Sequence, residues 1–196
     1  MAANHYPGIA YGPAVRARQN AVGVTLPVAT GDFALEGTDV ALIRSADHFS
    51  LSTVTESGWP YTQHRGGPAG FVHVVDDTTL AWAELPGNHQ YVSTGNVDHD
   101  GRVCLLFVDY PTRRRLKVFG HARTVEPDSD PDLIDRLRAM GEKRYSGRVE
   151  RAIVVDVVAA DANCSKHITP RWNRRYIDEL TAVYKRRIAE LQAGSA

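Results

Sequence analysis

The chain has 196 residues, 43% of them apolar and 23% charged, and its 23 basic side chains are balanced by 23 acidic ones. That length suffices for one domain with a full hydrophobic core. The zero formal charge argues against a nucleic-acid or membrane-surface binder, which needs a basic excess, and the apolar runs are too short to span a bilayer.

The first residues, Met1 to Tyr11, carry neither a basic n-region nor an apolar h-region. No secretory signal is therefore expected, and the cytoplasm is the expected location. Residues 1–35 lack sustained periodicity and read as an extension, with a short helix expected over about 13–22, where Pro13 suits a first helical position. Thr38 is a good N-cap for a second helix, to about 47.

From there the period becomes two. Phe49-Ser50-Leu51-Ser52-Thr53-Val54-Thr55 alternates as a strand does, and Glu56-Ser57-Gly58 turns the chain into a second strand over about 59–65. Gly66-Gly67-Pro68-Ala69-Gly70 interrupts the pattern. Further strands are expected over about 71–75, 79–84, 102–110, 114–125 and 152–158. Asn88 can cap a helix to about Gly95, Asp130-Pro131 opens one to about 145, and Ile177, Leu180, Val183, Tyr184, Ile188 and Leu191 lie at helical spacing in the last stretch. About six strands joined by short turns point to a mainly β, α+β fold: an antiparallel split β-barrel with peripheral helices, in one domain over 1–196 with a C-terminal helix over about 173–193.

The glycine run is the strongest local signal. It matches neither a Walker loop nor the dinucleotide fingerprint. It reads either as a bulge in a long strand or as bare backbone for a flat ligand beside Arg65. Arg113-Arg114-Arg115 at a hairpin is ordinarily a solvated turn, but alternation sends Arg113 and Arg115 to one face and Arg114 to the other. Asn96-Val97-Asp98-His99-Asp100-Gly101 imitates the opening of a calcium loop, yet the twelfth position is Phe107, so a polar turn is expected. No zinc-type spacing exists among the eight histidines, and no metal site is expected. His64 and His89 adjoin the other candidates. Cys104 sits in an apolar strand, and Cys164 has no visible activating group beyond His167, so neither a disulfide framework nor a catalytic thiol is expected. Without a secretion route, the acceptor-like Asn163-Cys164-Ser165 is idle. Trp172, followed by Asn173-Arg174-Arg175-Tyr176, reads as a helix start packed on the core or as a cap over a ligand.

Taken in order, Phe49 to Val54, Gly58-Trp59-Pro60, Gln63-His64-Arg65-Gly66-Gly67-Pro68-Ala69-Gly70-Phe71, Pro86-Gly87-Asn88, Arg102 to Phe107 and Arg113 to Gly120 resemble the FMN-binding split barrels of the pyridoxamine 5′-phosphate oxidase-like superfamily. Asn163-Cys164 followed by Ile168 is similar to its uncharacterised flavin-nucleotide-binding branch. The resemblance implies FMN at the interface of a homodimer. Arg65 would contact the phosphate or ribityl region, with Gln63 and His64 beside it, and Gly66 and Gly67 would face the ring. Trp82 falls where the oxidase has a tyrosine near the flavin, and Asn88 and His89 fall where it has an Arg-Lys phosphate pair. Arg115 matches a partner-strand glutamine, and Trp172 a C-terminal tryptophan. An oxidoreductase acting on an unknown small substrate is the implied activity, with no catalytic residue named. A non-catalytic flavin- or haem-binding module and an F420-dependent reductase are the alternatives. Asn88-His89 lacks the formal charge of the Arg-Lys pair, and the oxidase's substrate signature is not evident, so oxidation of vitamin B6 does not follow.

Overall fold

The structure, a computed structural model, describes residues 5–26, 31–163 and 166–193. Helices α1 (Tyr6–Ala10), α2 (Pro13–Ala21) and α3 (Gly37–Ser45) precede strands β1 (His48–Val54), β2 (Pro60–Gly66), β3 (His73–Val74) and β4 (Thr79–Glu84). Helix α4 (Val92–His99) leads to β5 (Arg102–Asp109) and β6 (Arg114–Val125). Next come α5 (Pro131–Leu137), the short pair β7 (Ala139–Met140) and β8 (Lys143–Arg144), the long β9 (Arg151–Asn163) and α6 (Arg174–Ala193). Seven of these strands form one sheet in the order β2-β1-β5-β6-β9-β4-β3, with every pairing antiparallel. The sheet curls but does not close: β2 and the short β3 are its two edges, and the fold is an α+β split barrel of the kind the alternating pattern predicts.

Alternation builds the core. Phe49 and Leu51 on β1, Val103, Leu105 and Phe107 on β5, and Leu116 and Val118 on β6 are all buried. Phe49 is the hub, 5.1 Å from both Trp82 and Phe107 and 5.8 Å from Phe71, centroid to centroid. Strand β4 differs, because Leu80, Ala81, Trp82 and Ala83 are buried in succession. One of its faces lines the barrel, and α5 packs against it with buried Leu133, Ile134 and Leu137.

Several expected elements are different in detail. The helix after Asp130 stops at Leu137, because Gly141 adopts φ +61° and turns the chain into the β7–β8 hairpin. Asn88 caps a turn rather than a helix: its Oδ1 accepts from Gln90 N–H at 3.2 Å. Helix α4 begins later, after Tyr91, and absorbs Asn96 to His99 of the expected polar turn. Arg113 lies in the hairpin turn itself at φ +57°, so it does not share a strand face with Arg115. Strand β9 runs on to Asn163, and Cys164 lies outside the described residues. The N-terminal extension is not idle chain: Tyr6 packs on Phe119 and accepts from Lys117 Nζ at 2.8 Å. Burial alone would lower the Lys117 ammonium, but the hydrogen bonds to Asp161 and Tyr6 hold it above its ordinary value. Among the described residues, no helix is long and apolar enough to cross a membrane.

Gly120 sits at the irregularity where β6 shifts register against β9, and a Cβ there would stand 2.6 Å from both Asp156 O and Val155 Cγ1. Gly120→Ala is therefore expected to destabilise the fold by about 1–3 kcal/mol, the cost of overpacking, read as a lower urea midpoint at unchanged slope.

His73 on β3 contacts the Ala139 carbonyl at 2.6 Å, and burial pushes its imidazole below the ordinary histidine range. Its folded form then binds fewer protons than its unfolded form, so its stabilising contribution is present above pH ~6.5 and is lost as pH falls below that value. In His73→Gln that segment of the stability–pH curve is expected to flatten, as equilibrium urea melts from pH 5 to 8 can show.

Candidate functional site

The split in the barrel is where the sequence-selected residues gather. Beyond the two residues of β3, strand β4 faces β2 across open space, and the two are bridged by side chains rather than by backbone. Arg65 Nη2 on β2 donates to Glu84 Oε2 on β4 at 3.1 Å, and Trp82 Nε1 donates to Glu84 Oε1 at 2.8 Å. Both members of the ion pair are mostly withdrawn from solvent, with side chains 17% and 13% exposed. One buried hydrogen-bonding position of the pair is unused: Arg65 Nε has no partner.

On either side of this bridge is a cavity. The first, of about 80 Å³, is lined by Gln63, Arg65, Asn88, His89, Ser93 and Thr94, with Glu84, Tyr91, Glu150 and Arg151 completing its wall. The second, of about 230 Å³, is lined by His64, Arg65, Gly66, Gly67, Phe71, Trp82 and Glu84. Eight of the ten residues selected from sequence thus line two cavities that share Arg65 and Glu84. Period-two geometry sorts the β2 run: Gln63 and Arg65 are half-buried, whereas His64 and Gly66 are exposed on the other face.

Helix α4 floors the smaller cavity. Its first turn carries no side-chain cap, and Tyr91 before it is left-handed at φ 50°, as is His89 at φ 60°. Two non-glycine residues in that region within one short loop mark stored strain, a recurrent feature of ligand sites. The loop is held by polar contacts: His89 Nδ1 donates to Tyr91 Oη at 3.0 Å, Tyr91 O–H donates to Glu150 at 3.2 Å, and Arg151 covers the Tyr91 ring at 5.1 Å. Small polar residues pin the helix to the barrel, with Ser93 Oγ donating to Gln63 at 2.7 Å and Asn96 Nδ2 to buried Thr53 at 2.8 Å. Uncapped first-turn amides, the Thr94 hydroxyl and Arg65 form a donor set suited to an anion, the Ser93 hydroxyl being spent on Gln63. The two carboxylates present, Glu84 and Glu150, are each already engaged by donors of the chain.

Gly67 and Gly70 are demanded by the chain's own packing, whereas a Cβ on Gly66 would crowd only the movable tip of the exposed His64 ring. A Cβ on Gly67 would stand 2.7 Å from the ring of Phe71, and one on Gly66 would stand 2.9 Å from His64 Nε2. Gly70, at φ +86°, abuts the backbone of Gly141. The run is a bend that lets Phe71 reach the core, and it forms the cavity wall as a consequence.

Arg115 and Trp172 stand apart from both cavities. Arg115 is paired in register with Val108 and Asn163, and its Nε is buried without a partner. Trp172 is half exposed, not packed on the core as a helix start, and lines a third and larger cavity of about 370 Å³ with Asp47, His48, Tyr110 and Arg171. There His48 stacks between His64 and Tyr110 at 5.8 and 6.0 Å, and Arg171 lies over Tyr110 at 5.0 Å. Size alone would favour this third cavity, but the unpartnered Arg65 Nε and the uncapped helix lie at the other two.

Sequence reasoning missed Glu84, Ser93, Glu150 and Arg151. Glu84 had a legible signal, as the single acid closing the apolar strand Leu80-Ala81-Trp82-Ala83. Ser93, Glu150 and Arg151 had none, since only the curl of the sheet brings them near Arg65. Among the described residues, no cluster of His, Cys, Asp or Glu is suited to hold a metal ion.

An open antiparallel sheet with a polar site in its split defines a split-barrel protein. A family model described as pyridoxamine 5′-phosphate oxidase matches residues 35–163, more than half of the chain, and the chain belongs to that family. Solved structures share the fold. A point variant of HupZ from Group A Streptococcus is 16% identical with a TM-score of 0.53, over 66% of this chain and 99% of that one. A conserved hypothetical protein, Rv2991 of Mycobacterium tuberculosis, is 16% identical with a TM-score of 0.51, over 74% and 94%. No curated protein matches.

Removing one member of the bridge strands the other. Glu84→Ala is expected to cost about 3 kcal/mol or more, because it leaves a buried guanidinium and an indole N–H without acceptor. A double-mutant cycle with Arg65→Met, followed by urea denaturation, should recover a large part of that loss.

Proposed function

We propose that the chain binds FMN in the split of the barrel and acts as an oxidoreductase on a small substrate. The observation that carries the reading is the buried Arg65 guanidinium, with an unpartnered Nε, standing between the glycine-walled cavity and the uncapped start of α4. Membership of the family supports it. In this reading Arg65, Thr94 and the first-turn amides of α4, that of Ser93 among them, hold the phosphate, assisted by Gln63, Asn88 and His89. Gly66, Gly67 and the edge of Trp82 border the ring system. When bound, the flavin supplies hydride or electron transfer, and the protein contributes orientation and electrostatics. Glu84 fixes the guanidinium in place and offsets its charge. The strained His89–Tyr91 loop keeps the α4 amides open to the ligand.

Two cavities of about 230 and 80 Å³ are each below the ~300–1,000 Å³ usual for an enclosing pocket. The reading therefore includes a homodimer in which a second subunit completes the enclosure and contributes Arg115 and Trp172. The outer face of β5 favours this arrangement: Cys104, Leu106 and Val108 are only half buried there, while Val103, Leu105 and Phe107 face the core.

Stripped protein titrated with FMN, riboflavin, F420 and haem, followed by fluorescence and absorption, tests the cofactor. Tight FMN binding at one per subunit is expected, and preference for F420 or haem would overturn the reading. In Arg65→Met, FMN affinity should fall about ten- to a hundredfold, since a hydrogen bond to a charged group is worth about 1.5–3 kcal/mol. Riboflavin affinity should change little, and equal losses for the two ligands would show that Arg65 does not read the phosphate.

A further inference from the structure

Among the described residues, helix α6, 20 residues long, carries no buried side chain. Every residue of it whose side chain is described is exposed, including Tyr176, Ile177, Leu180, Val183, Tyr184, Ile188 and Leu191. The arm's base is anchored, because Arg171, three residues before the helix, lies over the Tyr110 ring. With its stripe in water, the helix does not cover the outer face of its own barrel. A single helix with an apolar stripe open to water is marginal on its own, since helical stability comes from packing that stripe.

The stripe has an internal symmetry. Ile177, Leu180, Tyr184, Ile188 and Leu191 follow one another at intervals of 3, 4, 4 and 3 residues, a pattern that reads the same in both directions about Tyr184. A two-fold axis through Tyr184, across two antiparallel copies, sets Ile177 opposite Leu191, Leu180 opposite Ile188 and Tyr184 opposite itself. An isologous contact requires this self-complementarity. The stripe is narrow, about one side chain wide, as suits a helix-on-helix seam rather than a helix lying on a sheet. Arg174–Asp178 and Arg187–Glu190 pair within the helix, which leaves the seam free of those charges. The five half-exposed side chains of the seam offer roughly 500 Å² per helix, so a symmetric pair would bury about 1,000 Å², the lower end of a specific interface.

We propose that α6 is a dimerisation arm that pairs antiparallel with the α6 of a second copy of this chain, centred on Tyr184. The inference rests on the dimeric reading above but not on the flavin. In a full-length Cys104→Ser, Cys164→Ser background, Tyr184→Cys should oxidise to a single disulfide-linked species of twice the chain mass. Lys185→Cys, turned away from the seam, should remain largely unlinked. Leu180→Glu with Ile188→Glu should weaken association at least a hundredfold by light scattering while the barrel's circular dichroism is retained. A dimer that does not cross-link through position 184 would overturn the helix pairing and leave the dimer standing. A monomer at micromolar concentration would overturn both. FMN titration of the same samples reports separately on the cofactor reading.

Discussion

The Arg65–Glu84 ion pair joins the two sides of a sheet that backbone hydrogen bonds leave open. A split barrel must dispose of two strand edges, which are otherwise templates for unwanted pairing. Here β3 is only two residues long, so β4 beyond it confronts β2 without a ladder, and the carboxylate of Glu84 supplies the connection instead. Because that carboxylate also accepts from the buried indole of Trp82, the bridge is tied to the Phe49 aromatic cluster at the centre of the core. The polarity of the split is thus supported from behind by apolar packing, which holds a charged group in place where water has little access.

The end of the barrel beside that bridge is stoppered by a helix with almost no apolar face. Val92-Ser93-Thr94-Gly95-Asn96-Val97 would not be selected as a core helix on hydrophobic pattern, yet Ser93, Thr94, Asn96 and Val97 are buried. Hydrogen bonds from Ser93 to Gln63 and from Asn96 to Thr53 replace the missing hydrophobic contacts. Such bonds fix orientation more sharply than apolar contact does, and they aim the open first turn of α4 at Arg65. The left-handed backbone at His89 and Tyr91 lies immediately before that open turn.

The outer surface of the barrel is divided among several covers. Tyr6 of the N-terminal helix occupies the part near Lys117 and Phe119, and α5 covers β4. The half-buried row Cys104, Leu106 and Val108 and the apolar stripe of α6 remain. Burial pushes the Cys104 thiol up, which disfavours its thiolate.

Much of this was legible in the sequence where a local rule operates. The alternation in 49–55, the Gly58 turn at φ +83°, and the β4 and β6 spans, which match the expected 79–84 and 114–125, follow from side-chain period and turn chemistry, both properties of near neighbours. The gathering of Gln63, His64, Arg65, Gly66, Gly67, Trp82, Asn88 and His89 around the two cavities beside the Arg65–Glu84 bridge was reached through a family resemblance carried by their order in the chain. Tertiary structure alone decided the rest. Gly141 ended α5 early because the hairpin backbone had to pass beside Gly70, a contact 71 residues distant that no window on the sequence contains. Glu84, Glu150 and Arg151 entered the site because the sheet curls until β4 and β9 face β2 across the split, and the direction of that curl is set by the summed twist of seven strands rather than by any residue within it.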